Sequence, residues 1–131
     1  MSPRPSPEAV RSACPIAGAL DVMGDAWTLL VLRDLLFYEK HRFAEFLESP
    51  EKISTNILAE RLKRLERYGL IERRRYQQHP PRDEYYLTVR GHDLLPVLRE
   101  LVNWGKRHVR GAAQHPPAGV RIAPRPESVH E

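Results

Sequence analysis

The sequence predicts a mainly α-helical domain that carries one small β-hairpin, which is an α+β fold. Three observations predict it. Residues 54–69 show the pattern of an amphipathic helix with a capping serine and a terminating glycine. A basic hairpin pattern follows at once, over residues 70–87. A helix rich in apolar residues then closes the domain before a proline-rich end.

The length and composition indicate one globular domain with one core. The chain has 131 residues, of which 41% are hydrophobic and 29% are charged. Seven of the twelve prolines lie near the two ends, and such segments bury too little apolar surface to fold. We therefore expect a domain over residues 14–110, between flexible tails at residues 1–13 and 111–131.

The positive charge is concentrated in one segment. Residues 61–75 contain seven Lys or Arg and two Glu, a local charge of +5, whereas the whole chain carries +4. A basic segment on a helix and the hairpin beside it is typical of a surface that binds nucleic acid. A solvated charged face is the alternative interpretation of the same pattern.

Other classes of protein lack support in the sequence. No apolar run approaches the ~20 residues of a membrane span, and the N-terminus lacks the apolar core of a signal peptide. The single cysteine cannot form an intrachain disulfide, which fits a reducing compartment. We therefore expect a cytoplasmic protein without a membrane partner. The six scattered histidines and the lack of a phosphate-binding loop predict no enzyme, no cofactor and no metal site.

Three short helices are predicted before residue 54. The first covers Ile16–Met23 and ends at Gly24-Asp25. The second covers Ala26–Phe37, with apolar residues at helical spacing, and the third covers Phe43–Leu47.

The fourth predicted helix is the strongest candidate for contacting DNA. Ser54 caps its N-terminus, and Leu58, Leu62 and Leu65 form its buried stripe. The other faces carry polar or small side chains that are free to contact a ligand. The DNA-binding candidates on this helix are Ser54, Thr55, Asn56, Ala59, Glu60, Lys63, Arg64 and Arg67.

Each candidate type has a chemical reason. Asn56 can pair with adenine, Lys63 can reach guanine or a phosphate, and Ala59 leaves room for a thymine methyl group. Ser54 and Thr55 stand at a helix N-terminus, where backbone N–H groups favour phosphate. Glu60 either accepts from cytosine or pairs with Arg64. Arg61, beside the leucine stripe, is a candidate for holding an internal carboxylate instead of DNA.

The hairpin pattern predicts a basic wing. Its tip covers residues 77–82, where Pro80 and Pro81 cannot donate to a strand ladder. Side chains alternate between the two faces of a strand, so the three consecutive arginines at 73–75 cannot all face DNA. The wing candidates for phosphate or minor-groove contact are Arg73, Arg75, His79 and Arg82.

The last predicted helix runs from Thr88, its cap, to His108, and Pro96 should bend it. It carries more apolar residues than one buried stripe needs, which predicts a homodimer through this helix, aided by the first one. The alternative is that the bend lets both stripes meet the same core. The interface candidates are Ile16, Leu20, Leu94, Val97, Leu98, Leu101 and Trp104.

Several segments resemble, in the right order, the HxlR-type (MarR-like) winged helix-turn-helix regulators. The resemblance spans about Cys14 to His108. It is carried by Cys14-Pro15, the string from Leu20 to Leu35, Arg42 to Phe46, Ile53-Ser54 with Leu58 and Arg61-Leu62, Tyr68 to Ile71, Pro80-Pro81, Tyr85, Leu87-Thr88, Gly91, Leu95 to Leu98, and Trp104-Gly105.

The resemblance implies a bacterial, dimeric regulator that binds double-stranded DNA at a pseudo-palindromic operator, most often as a repressor. It implies that residues 54–67 enter the major groove and that the wing, residues 73–82, lies on the flanking groove or backbone. Some members of this family sense oxidants or electrophiles through an N-terminal cysteine, which makes Cys14 a candidate redox switch; an inert buried thiol is the alternative. A small-molecule effector stays open. A winged-helix module that binds protein instead of DNA is the alternative function.

Overall fold

The computed structural model describes residues 12–112 and 122–127. Its elements, in chain order, are α1 (Pro15–Met23), α2 (Ala26–Phe37), α3 (Phe43–Phe46), α4 (Thr55–Arg67), β1 (Ile71–Gln77), β2 (Arg82–Leu87), α5 (Val89–His92) and α6 (Leu95–His108). The predicted fold class, mainly α with one β-hairpin, is confirmed. The predicted tail at residues 1–13 lies almost wholly outside the described residues.

The core forms around α2, because this helix is apolar on most of its surface. Leu32 and Leu36 of α2 are fully buried, together with Phe46 of α3 and Leu58 and Leu62 of α4. These side chains pack α2, α3 and α4 into one cluster, which extends to the base of the hairpin. The helix pair α3 and α4 is therefore held on a rigid support.

Glycine and threonine side-chain chemistry shapes the junctions around the hairpin. Gly69 follows α4 with a φ of 79°, the left-handed conformation that lets the chain turn sharply into β1. Thr88 then links three segments: its hydroxyl donates to the Gly69 carbonyl at 2.6 Å and accepts from the Gly91 N–H at 3.1 Å. The hairpin base is thereby tied to α4 on one side and to α5 on the other.

The hairpin is a two-stranded antiparallel sheet. Its register pairs Ile71 with Leu87 at the base and Arg75 with Asp83 further out, with an irregularity between Arg75 and Gln77. Only the base, at Ile71 and Leu87, is buried in the core. The outer part of the hairpin projects from the domain as a wing.

The prediction of one bent helix from residue 88 to 108 is wrong. Thr88 caps the separate short helix α5, and a two-residue turn at 93–94 divides it from α6. Pro96 lies in the first turn of α6, where its missing N–H would have no helical partner in any case. The proline is therefore placed at a helix start and bends no helix.

Part of the predicted C-terminal tail lies on the domain instead of apart from it. The Ala123 N–H donates to the Leu36 carbonyl at 2.8 Å, and the Ala123 carbonyl lies 2.8 Å from Nε2 of the buried His92. Arg125 pairs with Asp93 of the turn before α6. These contacts satisfy backbone groups that a loose tail would leave to water, so residues 122–127 form part of the domain surface. Residues 113–121 and 128–131 lie outside the described residues.

No single helix in the described ranges is long and apolar enough to cross a membrane. Only α1 and α2 taken together meet that length and composition, and they are bent by 80° at the break between them.

Candidate nucleic-acid interface

Helix α4 presents one buried face and one exposed face, as its sequence pattern predicts. Leu58, Leu62 and Leu65 are buried in the core. Ser54 is the N-cap, and its hydroxyl accepts from the Ile57 N–H at 3.2 Å. The exposed candidates are Ser54, Thr55, Asn56, Glu60, Lys63 and Arg67, and Ala59 is partly exposed beside them.

Two arginines of α4 turn toward the protein instead of outward. Arg61 donates through Nε to Asp25 at 2.8 Å, which is the internal carboxylate predicted as an option for this residue. Arg64 donates to the Asp21 carbonyl of α1 at 2.7 Å and lies 3.7 Å from Asp25. Glu60 pairs with Arg61 instead of the predicted Arg64. Arg64 is thus engaged in the protein fold, which leaves fewer free cations on α4 than the sequence pattern predicts.

Asp25 is the hub of this arrangement. It is the N-cap of α2 and accepts from the Thr28 backbone N–H at 3.2 Å and from the Thr28 hydroxyl. Partial burial disfavours its ionised form, but the hydrogen bonds from Thr28 and Arg61 outweigh that effect and lower the pKa of Asp25. The carboxylate therefore stays charged and holds α4 against the start of α2.

The wing arginines are exposed and paired with carboxylates. Arg73 donates to Glu66 of α4 at 3.1 Å, a hydrogen bond that raises the pKa of the guanidinium. Arg75 donates to Asp83 at 3.0 Å, and Arg73 lies 3.6 Å from the same carboxylate. Strand alternation places Arg74 on the opposite face, where its guanidinium lies 4.0 Å from the Tyr86 ring centroid. A phosphate that binds Arg73 or Arg75 must replace these carboxylates.

The remaining wing candidates lie at the tip. His79 and Arg82 are both exposed there. Over residues 12–112 and 122–127, Arg82 and Lys63 have no ion-pair partner. These two cations, one on the wing tip and one on α4, are therefore available to a ligand without breaking an internal pair.

Sequence patterns did not identify Arg42, which the structure brings to the wing. This residue is the N-cap of α3, yet its guanidinium lies 4.0 Å from the ring centroid of Tyr76 on β1. Its Nε also donates to Glu84 on β2 at 3.0 Å. The signal is absent from any local pattern, because 34 or more positions separate Arg42 from both partners in the sequence.

The predicted interface residues divide into two groups. Ile16 and Trp104 have 71% and 61% of their surface exposed. Leu20, Val97 and Leu101 are also exposed large hydrophobic residues. Leu98 does not fit the prediction, because it is 5% exposed and belongs to the core of its own chain. Leu94 packs partly against that core.

Cys14 is exposed and is the N-cap residue of α1. Its backbone N–H donates to the Ser12 hydroxyl at 3.2 Å. The alternative of a buried thiol is therefore excluded. No group of three or more His, Cys, Asp or Glu side chains in the described part of the chain could hold a metal ion.

This geometry defines a class of protein. A helix pair with an exposed polar face on its second helix, followed by a projecting basic hairpin, is a winged helix-turn-helix. Comparisons with known proteins agree. The family model described as HxlR-like helix-turn-helix matches residues 22–113. The HTH-type transcriptional regulator YdeP of Bacillus subtilis is 39% identical over 95 residues, which cover 72% of this chain and 73% of YdeP.

Solved structures of regulators share the fold. The reduced form of the transcriptional regulator YodB from Bacillus subtilis has 31% identity and a TM-score of 0.61, and the match covers 78% of this chain and 100% of that chain. The redox regulator HypR in its reduced form has 33% identity and a TM-score of 0.65, with 72% and 92% coverage. The chain belongs to the HxlR-like helix-turn-helix family and is an HTH-type transcriptional regulator, not an enzyme.

Proposed function

We propose that this regulator binds double-stranded DNA of a specific sequence as a homodimer, with α4 in the major groove and the wing on the flanking groove or backbone. One observation carries the proposal: α4 buries its leucine stripe and is anchored to Asp25, while Asn56 and Lys63 project from its opposite, exposed face. A helix fits the major groove, and a fixed helix can present the same side chains to the same bases each time.

The roles of individual side chains follow from their positions. Asn56 is proposed to pair with adenine and Lys63 with guanine or phosphate, while Ser54 and Thr55 bring backbone N–H groups to a phosphate. Ala59 leaves space for close approach. Glu60 and Arg67 complete the exposed face, whereas Arg64 acts mainly in holding α4 in place, because it donates to the Asp21 carbonyl.

The wing is proposed to contribute backbone contacts. Arg82 and His79 at the tip are exposed, and Arg82 has no internal partner within the described ranges. Arg73 and Arg75 join them only by exchanging Glu66 and Asp83 for phosphate. Exposed ion pairs are weak, so such an exchange costs little.

A salt titration tests DNA binding against the alternative of a protein-binding module. We expect the affinity for duplex DNA to fall steeply as salt rises, because each phosphate contact releases counterions. A preference for one sequence over random competitor DNA should persist at every salt concentration. An affinity that salt does not change, without sequence preference, would instead support a protein partner for the basic surface.

The exposed apolar residues of α1 and α6 support the homodimer. Ile16, Leu20, Val97, Leu101 and Trp104 give the two helices apolar surface that the described part of the chain leaves uncovered. A second copy would bury this surface and place two α4 helices on one DNA site, which would then be pseudo-palindromic. Repression is the proposed outcome where such an operator overlaps a promoter, and the family membership favours action in the cytoplasm.

A redox response through Cys14 is a second proposal. The exposed thiol stands at the start of α1, one of the two helices proposed for the dimer interface. HypR, one of the similar solved structures, is described as a redox regulator in both reduced and oxidised forms. With one cysteine in the chain, an oxidised product must join two chains or attach a small thiol.

Treatment with diamide tests this response. In non-reducing electrophoresis we expect a covalent dimer or a thiol adduct that Cys14→Ser lacks, together with a change in DNA affinity that Cys14→Ser does not show. If oxidation leaves both the mobility and the DNA affinity of the native protein unchanged, Cys14 is not a switch.

A further inference from the structure

The wing is held against the helix-turn-helix by a two-residue bracket, His41-Arg42, that precedes α3. His41 holds the base of the wing: its carbonyl accepts from the Tyr85 N–H at 2.7 Å, and its Nδ1 lies 2.9 Å from the Tyr85 carbonyl. Its ring stacks on Tyr86 with centroids 4.2 Å apart. The bracket therefore follows the outer edge of β2.

Arg42 extends this hold toward the tip and reaches both strands at once. Its guanidinium lies over Tyr76 of β1 at 4.0 Å, and its Nε donates to Glu84 of β2 at 3.0 Å. A planar guanidinium can stack on an aromatic ring and donate to a carboxylate in the same pose, which an ammonium group cannot reproduce. Arg42 therefore contacts the wing beyond its buried base.

The bracket is itself anchored to α3. The Glu45 carboxylate accepts from the backbone N–H groups of His41 at 2.8 Å and Arg42 at 2.9 Å. These hydrogen bonds outweigh partial burial and lower the pKa of Glu45. The first helix of the helix-turn-helix and the middle of the wing are thus connected through two side chains, Glu45 and Arg42.

An isolated two-stranded hairpin is only marginally ordered in water, so contacts outside its buried base decide where its tip lies. We propose that Arg42 is a positioning residue for DNA binding: by clamping Tyr76 and Glu84, it fixes the distance from α4 to the wing tip. Arg82 then meets the DNA backbone in register with α4. The proposal rests on the proposed DNA-binding function, and it assigns Arg42 a role that acts through the wing.

Three variants separate positioning from a plain charge effect. Arg42→Lys keeps the charge but loses the planar stack, and Tyr76→Leu removes the ring without changing any charge. We expect each to lower the affinity for a duplex selected by the native protein by about 3- to 10-fold, the range of a lost cation–π contact. Tyr76→Phe keeps the ring and should bind like the native protein. Arg99→Lys, on the exposed surface of α6, is the matched control.

A footprint on the same duplex shows where the loss occurs. In Arg42→Lys and Tyr76→Leu, we expect protection to weaken at the flanks, where the wing lies, and to persist over the bases that α4 contacts. Combining Arg42→Lys with Arg82→Gln should cost no more than the larger single loss, because both changes disable the same tip. Thermal unfolding of each variant confirms that the domain remains folded.

Two results would overturn the positioning role: native affinity in Tyr76→Leu, or fully additive losses in the double variant. A native protein that selects no DNA sequence would instead refute the proposed function itself, so the two failures are distinguishable.

Discussion

Asn56 is the residue whose role the structure isolates best. It stands in the first turn of α4 on the side away from the leucine stripe, and it is exposed. Asparagine can form two hydrogen bonds with the major-groove edge of adenine, so it reads a base and not only the backbone. A contact of this kind predicts a loss that depends on the base opposite it.

We therefore expect Asn56→Ala to relax the preference at one base pair per half-site. The expected loss of discrimination is about 1–3 kcal/mol at that position, with little change elsewhere in the site. Binding measured against a panel of single-base substitutions in the duplex checks this. Asn103→Ala, an exposed asparagine on α6, is the matched control and should keep the native preference. Equal weakening on every duplex of the panel would refute the base contact.

Asp25 predicts an acid dependence of stability. Its pKa is lowered in the folded protein, so its contribution is fully present above the unfolded value of about 3.9 and is lost as the pH falls through the folded value. We expect the native protein to lose more stability than Asp25→Asn between about pH 5 and pH 2. Chemical unfolding across this range measures it, with Glu48→Gln, an exposed carboxyl elsewhere, as the control. Parallel pH profiles for the native protein and Asp25→Asn would contradict the assigned role.

At the scale of elements, the junction between the wing and α5 is the tightest point of the fold. A Cβ atom on Gly91 would lie 2.1 Å from the Leu70 carbonyl oxygen, which is backbone and cannot move aside without shifting the strand. Gly18 in α1 differs, because a Cβ there would meet nothing within 4 Å. The two glycines therefore make a matched pair.

We expect Gly91→Ala to destabilise the domain by about 1–3 kcal/mol, the usual cost of overpacking. Gly18→Ala should stabilise it by up to about 1 kcal/mol, because alanine favours a helix interior. The free energy of unfolding in urea measures both changes. A Gly91→Ala protein as stable as the native one would show that the strand and α5 do not approach this closely.

The elements that sequence patterns located well are those decided by local chemistry. Helix α4 could be predicted to within a residue because its cap, its leucine spacing and its glycine stop all lie within sixteen positions. The break before α6 could not, because a proline inside a helix and a proline in the first turn of the next helix give the same local pattern. The partners of Arg61 and Arg42 could not be assigned either, since they depend on which distant carboxylate or ring the fold brings near.

At the scale of the whole molecule, exposed apolar surface is concentrated on α1 and α6, while positive charge is concentrated on α4 and the wing. The two surfaces use different helices, so a second copy can cover the first without blocking the second. The core account also explains why Leu98 fell outside the predicted interface: one stripe of α6 packs on the domain, and another remains exposed.

We expect Leu101→Glu to convert a dimer into a monomer, because it places a charge within the exposed apolar stripe of α6. Sedimentation velocity measures the change in mass, and Arg99→Glu, on an exposed position of the same helix, should remain dimeric. The monomer should also bind a two-half-site duplex with lower affinity than the dimer. Unchanged mass in Leu101→Glu would place the interface elsewhere.

Selection of duplexes from a random-sequence pool tests the central claim most directly. The account predicts an enriched pseudo-palindrome whose half-site centres are about one helical turn, 10–10.5 base pairs, or a multiple of it apart. The same selection with Asn56→Ala should return that palindrome with one position per half-site relaxed. A pool in which no sequence is enriched, at low salt and with the folded protein, would contradict sequence-specific DNA binding.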